Sequence, residues 1–455
     1  MKDNNWAKHE FDEIEFDDKR LDQRFVTVAN QLSSNSVAPI NQACQSWKDT
    51  KAAYRLFDNG KVTAEKIIES HQKKTVRRIG SQSLVFVIQD TTYLNYTHHP
   101  KKKGLGPIGA LRDEQIGLMM HSALCISEAD LPLGFLSINF QIRKSDNKKL
   151  NRYRPIEEKE SIKWLTALEE THRLIPKGTT AVTIGDRESD ICDLFLLAES
   201  LPEKILVRAK QDRNLCQESK YLWAFMEAKE PIGQKIISVP KAKNRKPRSA
   251  TSEIKIATVD FRLPYRPGKA AGMKRKSISM QAILLKEINP PEDEKPLEWL
   301  LLTNIPVNNY DEACEKIEWY CKRWMIENFH KVLKSGCTVE DCRLETRERL
   351  ERYLALSVVI GWRILWMTQI KRKSPDLPCT NIMTENEWQA LYFFIHDKKS
   401  PPEKLPTVSD CLIWIAQLGG FMARKRDGDP GATVIWRGWQ RFCDITRVWE
   451  ITRCG

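Results

Sequence analysis

"SLVFVIQD", Ser83 to Asp90, decides the fold. Leu84 to Ile88 are five consecutive apolar residues, β-branched and aromatic among them, closed by Gln89 and Asp90. A strand covered on one face alternates, so an unbroken run reads as a strand buried on both faces and ending at Asp90. Upstream the period is helical. Leu21, Phe25, Val28 and Leu32 recur at helical spacing, with Asp18 placed to cap them and Ser33-Ser34-Asn35 ending the run. A second helix carries Cys44, Trp47, Tyr54 and Phe57, and a third starts after Thr63 with Ile67 and Ile68. Lys19, Arg20, Arg24, Lys48, Lys51, Arg55, Lys73, Lys74, Arg77 and Arg78 surround these apolar positions, as suits a small DNA-binding module.

Downstream, "LMMHSALCIS" and "PLGFLSINFQI" read as two more strands joined by the turn "EADLP". A helix is expected from Pro155 to Leu174 with acidic residues in its first turn, where the helix dipole favours them. "TTAVTIGDRESDICDLFLLAES" gives a strand ending at Asp186 and then a helix, and "KILVRAK" gives a further strand. Strand, strand, strand, helix, strand, helix, strand is the order of a ribonuclease-H-like α/β core with a mixed five-stranded sheet. Residues 211–310 interrupt it with alternating segments, read as an antiparallel β insertion with basic loops at Lys241–Arg248 and Lys274–Lys276, closed by "LEWLLLT". A polar, Pro-rich stretch after Lys371 leads to a last helical region and the Trp-rich "VIWRGWQRF".

The whole chain bounds the function. Its 455 residues allow several domains, and a net charge of +13 with pI near 9.1 favours a polyanionic partner, nucleic acid before membrane. No run of about 18 apolar residues appears, and the polar, acidic N-terminus lacks the form of a signal peptide, so a cytoplasmic chain is expected. The 12 cysteines form no C-x-x-C pair, which removes a zinc ribbon or a disulfide framework. G-x-x-x-x-G-K-[ST], G-x-G-x-x-G and G-x-S-x-G are absent, leaving nucleotide hydrolysis, a nucleotide cofactor and serine chemistry without support.

In "IEWYCKRWMIENFHKVLKSG", Ile317 to Gly336, Tyr320, Arg323, Glu327 and Lys334 fall on one face of a helix drawn at about 3.6 residues per turn. In the fold just read, Asp90 and Asp186 end neighbouring strands and would face each other, and Glu327 on a later helix would complete a cage of three carboxylates. Such a cage suits Mg²⁺, with Mn²⁺ as a substitute. A pair of ions activates the nucleophile and stabilises the leaving oxygen in phosphodiester chemistry. Arg323 and Lys334 would hold phosphates beside the metals, while Tyr320 would touch a phosphate or stack on a sugar or base.

"IQDTT", "GDRESD", "EINPPEDEKPLEWLLLT", "YCKRWMIENFHKVLKSG" and "LGGFMARKRDGDPG" carry a resemblance over essentially the whole chain. The sequence resembles the DDE transposases of bacterial insertion sequences, in the insertion-sequence-four family, and is most similar to the transposon-five type. The family pattern Tyr, two residues, Arg, three residues, Glu, six residues, Lys is complete as Tyr320, Arg323, Glu327 and Lys334. The resemblance implies that Asp90, Asp186 and Glu327 are the metal-binding catalytic triad. It implies further that Arg208 contacts DNA near the active site and that Trp299 stacks a base flipped out during hairpin formation. Its domain plan is end binding over residues 1–75, catalysis over 76–370 and dimerisation over 371–455. The expected partners are double-stranded DNA, as transposon ends and target, and a second copy of the chain in a synaptic complex; no membrane is expected. The competing readings are another ribonuclease-H-fold metal nuclease and a non-catalytic DNA-binding inhibitor that dimerises with active transposase.

Overall fold

The structure, a computed structural model, describes residues 6–44, 46–109, 114–143, 154–217, 221–239, 247–263, 277–398 and 400–453. Two compact units result, one of residues 1–80, 91–145 and 326–455, the other of residues 81–90 and 146–325.

The first unit begins with α1 (Trp6–Glu10), α2 (Lys19–Ser34), α3 (Ile40–Ala43), α4 (Trp47–Asp58) and α5 (Ala64–Ile79). Three of these match the helices read from sequence, except that Cys44 lies before α4, as the C-cap of α3; α1 and α3 are too short to show a period. Asp18 caps α2 through Arg20 N, Ser46 caps α4 through Asp49 N and Thr63 caps α5 through Lys66 N, each satisfying an orphan N–H. Phe25, Val28, Leu32, Leu56 and Phe57 are buried, while Arg20, Arg24, Lys48, Lys51 and Arg55 line a cleft between α2 and α4.

β1 (Leu84–Asn95) starts in the second unit and finishes in the first. It does not end at Asp90. The polar Asp90-Thr91-Thr92-Tyr93 keeps extended backbone, and Tyr96 N, just past the strand, donates to Ile116 O. Neighbouring-strand hydrogen bonds hold backbone extended whatever the side chains, so the apolar run marked only the strand's buried part. β2 (Gly106–Pro107), β3 (Ile116–Ser127) and β4 (Pro132–Gln141) follow in the first unit, with β4 antiparallel to β3. α5 lies on β4 so closely that a Cβ at Gly134 would stand 2.0 Å from Thr75 Oγ1.

The second unit holds α6 (Ile162–Leu174), β5 (Thr180–Gly185), α7 (Cys192–Ser200), β6 (Lys204–Arg208), α8 (Leu222–Glu227), β7 (Gly233–Val239), β8 (Arg248–Arg262), β9 (Ser277–Glu287), β10 (Glu298–Thr303) and α9 (Tyr310–Cys321). α6 starts later than expected. Ile156–Glu158 is a separate 3₁₀ turn and Lys159 is extended, so Glu157 and Glu158 precede the helix rather than open it. The apolar face that a helix must bury begins only at Ile162 and Trp164.

In this unit β1, β5 and β6 are parallel neighbours, and β10 lies antiparallel to β6. β9, β8 and β7 continue antiparallel from β10. The insertion therefore extends the core sheet instead of standing apart from it, giving a mixed α/β, ribonuclease-H-like core. One apolar cluster with Trp164, Leu168, Phe195, Val207, Phe261, Leu284 and Leu300 joins α6 and α7 to both parts of the sheet. Each such side chain contributes at most about 1.5–3 kcal/mol. Of the basic loops, Lys241, Lys243, Arg245, Lys246, Lys274, Arg275 and Lys276 lie outside the described residues. Arg248 instead pairs with Glu287 and Glu294.

The chain returns to the first unit within α10 (Trp324–Lys331), followed by a π-helical turn, Val332–Gly336. α11 (Arg347–Lys373), α12 (Glu385–His396), α13 (Val408–Leu418) and α14 (Ala432–Arg453) complete it, with capping boxes at Thr384/Glu387 and Thr407/Asp410. α11 is long and apolar enough to cross a membrane by length and composition, although the sequence shows no unbroken apolar run. Its apolar window is 89% buried inside the protein, which makes it an interior helix against α5 and β4.

Candidate active site

Backbone register assembles the site. Ile88 pairs with Ile184 across the parallel β1–β5 ladder, so two residues further Asp90 stands opposite Asp186, on the same face. Gly185 pairs with Val207 across β5–β6, so Asp186 stands opposite Arg208. Asp186 keeps extended backbone, and Arg208 pairs in turn with Leu301 of β10. Trp299, two residues before Leu301, shares that face. Parallel neighbours lie about 4.8 Å apart, so an aspartate, an aspartate and an arginine form one row.

Both aspartates are half-buried. Asp186 Oδ1 accepts Glu188 N at 2.8 Å as cap of the 3₁₀ turn Arg187–Ser189. That is the ordinary use of a strand-end aspartate, and it orients the carboxylate as well.

α9 packs over β6 and delivers Tyr320 to this row. The Tyr320 ring, 4% exposed, stands edge-on to the half-buried Trp299, with centroids 5.2 Å apart. Sugar or base stacking on Tyr320 is thereby ruled out, since Trp299 and the fold cover the ring. What Tyr320 offers is its hydroxyl, which interacts electrostatically with the guanidinium groups of Arg208 and Arg323. Burial pushes the Tyr320 hydroxyl above its usual range, while Arg323 and Arg208 oppose the shift and Asp186 adds to it. Burial also draws the Arg208 guanidinium down, against the attraction of Tyr320. Arg208 Nη2 donates to Glu298 O at 2.8 Å, which leaves the fork aimed by two neighbours.

The expected single helical stripe is not continuous. α9 stops at Cys321, Arg323 N donates to Tyr320 O and Met325 N to Lys322 O, and α10 starts at Trp324. Arg323 stands at that break, its guanidinium 5.9 Å from the Tyr320 ring and 5.6 Å from the Trp324 ring. Glu327 lies in the first turn of α10 and is half-buried. Lys334 lies in the π turn, where its Nζ donates to Tyr93 O of β1 at 2.6 Å. A π turn displaces side chains from the 3.6-residue pattern, which the sequence cannot announce. The second unit therefore gathers Asp90, Asp186, Arg208, Trp299, Tyr320 and Arg323, while Glu327 and Lys334 are counted with the first.

Asp190 and Arg213 had escaped the sequence reading. Asp190, with a fully buried side chain, accepts Lys210 N and Gln211 N at 2.7 Å each and is paired with Arg213. In "GDRESD" three acids compete for one role, and only the structure shows that Asp190 is saturated by the protein. A hydrophilic arginine just past a strand, between Asp212 and Asn214, carries no sequence signal of its own.

Two hard carboxylates on one strand face suit a divalent cation that prefers oxygen. Among the described residues, no three His, Cys, Asp or Glu side chains are grouped closely enough to hold a metal ion.

Comparison with known families gives three matches in sequence. Residues 3–62 match a transposase DNA-binding model, residues 144–360 a transposase DDE domain, and residues 359–453 the transposase Tn5 dimerisation domain. The DDE match contains Asp186 and Glu327 but begins after Asp90, whose assignment rests on the strand row. The insertion-sequence-four family is consistent with the DDE match, which also implies the ribonuclease-H-like core and a general dependence on divalent metal. With DNA-binding, DDE and dimerisation regions following one another along it, the chain belongs to the DDE transposases of the Tn5 type.

Proposed function

We propose that this transposase performs cut-and-paste transposition: it binds the ends of its element, cuts the DNA and joins the freed 3′ ends to a target. The observation that carries the reading is the row Asp90, Asp186, Arg208, which sets two hard oxygen ligands beside a phosphate-binding guanidinium. Asp90 and Asp186 would hold divalent metal, Mg²⁺ with Mn²⁺ as substitute and two ions per site. Glu327 enters as the third ligand by its place in the family pattern, four residues after Arg323. When bound, the metal supplies nucleophile activation and charge stabilisation at phosphorus.

The chain's own groups do the rest. Arg208 and Arg323, aimed by the Tyr320 hydroxyl, bind phosphate oxygens, and Lys334 adds a further cation. Trp299, half-buried on the same strand face, would stack a base turned out of the duplex. Residues 1–75 would read the ends, 76–370 would cut, and 371–455 would pair two copies in a synaptic complex. The reaction needs no nucleotide cofactor and takes place in the cytosol, away from membranes.

Incubation of the purified chain with labelled ends of its element, target DNA and Mg²⁺ or Mn²⁺ tests this. Joined products are expected from the native chain and none from Asp186→Asn. Nicks without joining would leave a nuclease that stops at hydrolysis.

A further inference from the structure

Asp190 and Arg213 lie outside the chemistry just described, yet each makes several hydrogen bonds within the second unit. Asp190 Oδ2 accepts Lys210 N and Gln211 N at 2.7 Å each, two and three residues past the Arg208 strand end. Asp190 Oδ1 accepts Arg213 Nε at 3.1 Å and Nη2 at 2.6 Å, while Arg213 Nη2 also reaches Asp190 O at 2.8 Å. Arg213 Nη1 approaches Cys192 Sγ at 2.8 Å, and the guanidinium lies against the rings of Phe195 and Phe261. The side chains are 0% and 13% exposed.

On its other side Asp190 continues the turn that carries Asp186. Ser189 Oγ donates to Asp186 O at 2.6 Å, and Ile191 N to Ser189 O. A Cβ at Gly185 would stand 2.3 Å from Ser189 Oγ, so the turn folds tightly back on the strand end. The span from Asp186 to Asp190 is thus a short, cross-bonded arch, and its far foot is bonded to the backbone beyond Arg208.

We propose that the Asp190–Arg213 pair is a positioning clamp that fixes the Asp186 carboxylate relative to the Arg208 guanidinium. Metal ligand and phosphate ligand then move as one body when DNA enters. The clamp touches neither metal nor DNA; it acts through the two backbone ends it joins. The inference rests on the reading of Asp186 as a metal ligand and Arg208 as a phosphate ligand. Supporting residues of this kind typically alter metal affinity about 10–100-fold when removed.

Removing one partner of a buried pair strands the other's charge, whereas neutralising both is far better tolerated. The test therefore uses the full chain carrying Asp190→Asn with Arg213→Met, and separately Arg213→Lys, which keeps the charge but loses the two-pronged geometry. Mn²⁺ binding is read from the loss of the free-ion paramagnetic resonance signal, alongside thermal melting and gel-shift affinity for element ends. The clamp requires Mn²⁺ affinity to fall about tenfold or more in the double variant and less in Arg213→Lys, with end binding unchanged. Native Mn²⁺ affinity in a folded double variant, or in Arg213→Lys should the double variant not fold, would overturn it. Losses that track melting in both variants would equally overturn it, leaving a staple of the fold. Asp186→Asn in the same titration separates the two readings: native Mn²⁺ affinity there removes the metal-ligand assignment, and the clamp's purpose with it.

Discussion

Across β1, β5 and β6 the candidate side chains are set by hydrogen-bonded register, whereas from Tyr310 to Gly336 they hang on a helix that changes its winding twice. In a parallel ladder each residue is tied to its neighbours, so Asp90, Asp186 and Arg208 occupy one row however far apart they lie in the chain. Along a helix, direction accumulates residue by residue, and one break or one π turn redirects everything after it. The strand row presents its chemistry by construction. The helical segment presents Tyr320 and Arg323 to that row through α9, and carries Glu327 and Lys334 beyond the break.

The largest expected effect falls on the row. Asp90→Asn and Asp186→Asn should each lower end cleavage by more than about a thousandfold, roughly 4 kcal/mol of barrier, with end binding retained. Glu327→Gln should lose as much if the helix supplies the third ligand despite its irregular winding. Single-turnover cleavage of labelled ends measures all three. A Glu327→Gln chain that still cuts would confine the chemistry to the strands.

Next comes the group that links the two regions. Tyr320→Phe removes only the hydroxyl between Arg208 and Arg323, so cleavage should fall about tenfold as the guanidiniums lose their common anchor, an effect of about 1–2 kcal/mol. Cleavage at saturating DNA, compared with end-binding affinity, separates misaimed arginines from lost binding. Equal rates for the two chains would leave Tyr320 as packing for Trp299.

The sequence was most legible where one physical signal dominates. The run Leu84–Ile88 located the buried part of β1, and Asp18 and Thr63 announced their helices, because caps act locally. The end of β1 was not legible, since Gln89 and Asp90 break the apolar run although Thr91–Asn95 continue the strand beyond it. The site divides in the same way. Asp90 and Asp186 could be picked as strand-end acids, but nothing local to Asp190 distinguishes a clamp from a ligand, and nothing in "KVLKSG" signals a π turn. The covering of Tyr320 by Trp299, 21 residues earlier, is a tertiary contact that no periodicity contains.

Acid should act on the helical segment. His330 of α10 is buried, and its imidazole is pushed down to about 3, first by burial and then by Lys334. A folded-state value below the usual 6.5 means that this contribution to stability is complete above 6.5 and is lost as pH falls toward about 3. His71, buried in the first unit, has the same sign. Its Nε2 accepts Phe135 N at 3.0 Å, which requires a neutral ring, and its Nδ1 faces the Glu10 carboxylate. Between pH 7 and 5, amide protection factors, corrected for the intrinsic exchange rate at each pH, should therefore fall in α10 and α5 before they fall in β5 and β6. A uniform fall in protection would show that the two regions open together.

The smallest effect concerns the two cations of the helical segment. Arg323 stands at the break beside Tyr320, whereas Lys334 already donates to Tyr93 O at 2.6 Å and lies 3.8 Å from Glu340. An ammonium carries three donors, so a bond to one carbonyl leaves Lys334 able to meet a phosphate as well. Each phosphate neutralised releases counterions worth about 0.9 units of slope in log affinity against log salt on duplex DNA. Arg323→Ala and Lys334→Ala should each flatten that slope by about 0.9 or less, and Glu327→Gln, which removes a negative charge nearby, should hold or strengthen binding without metal. End-DNA affinity measured over a series of salt concentrations reads this directly. A flattened slope for Arg323→Ala beside an unchanged slope and lower melting for Lys334→Ala would make the π turn a structural tie to β1, with the phosphate contacts ending where α9 does.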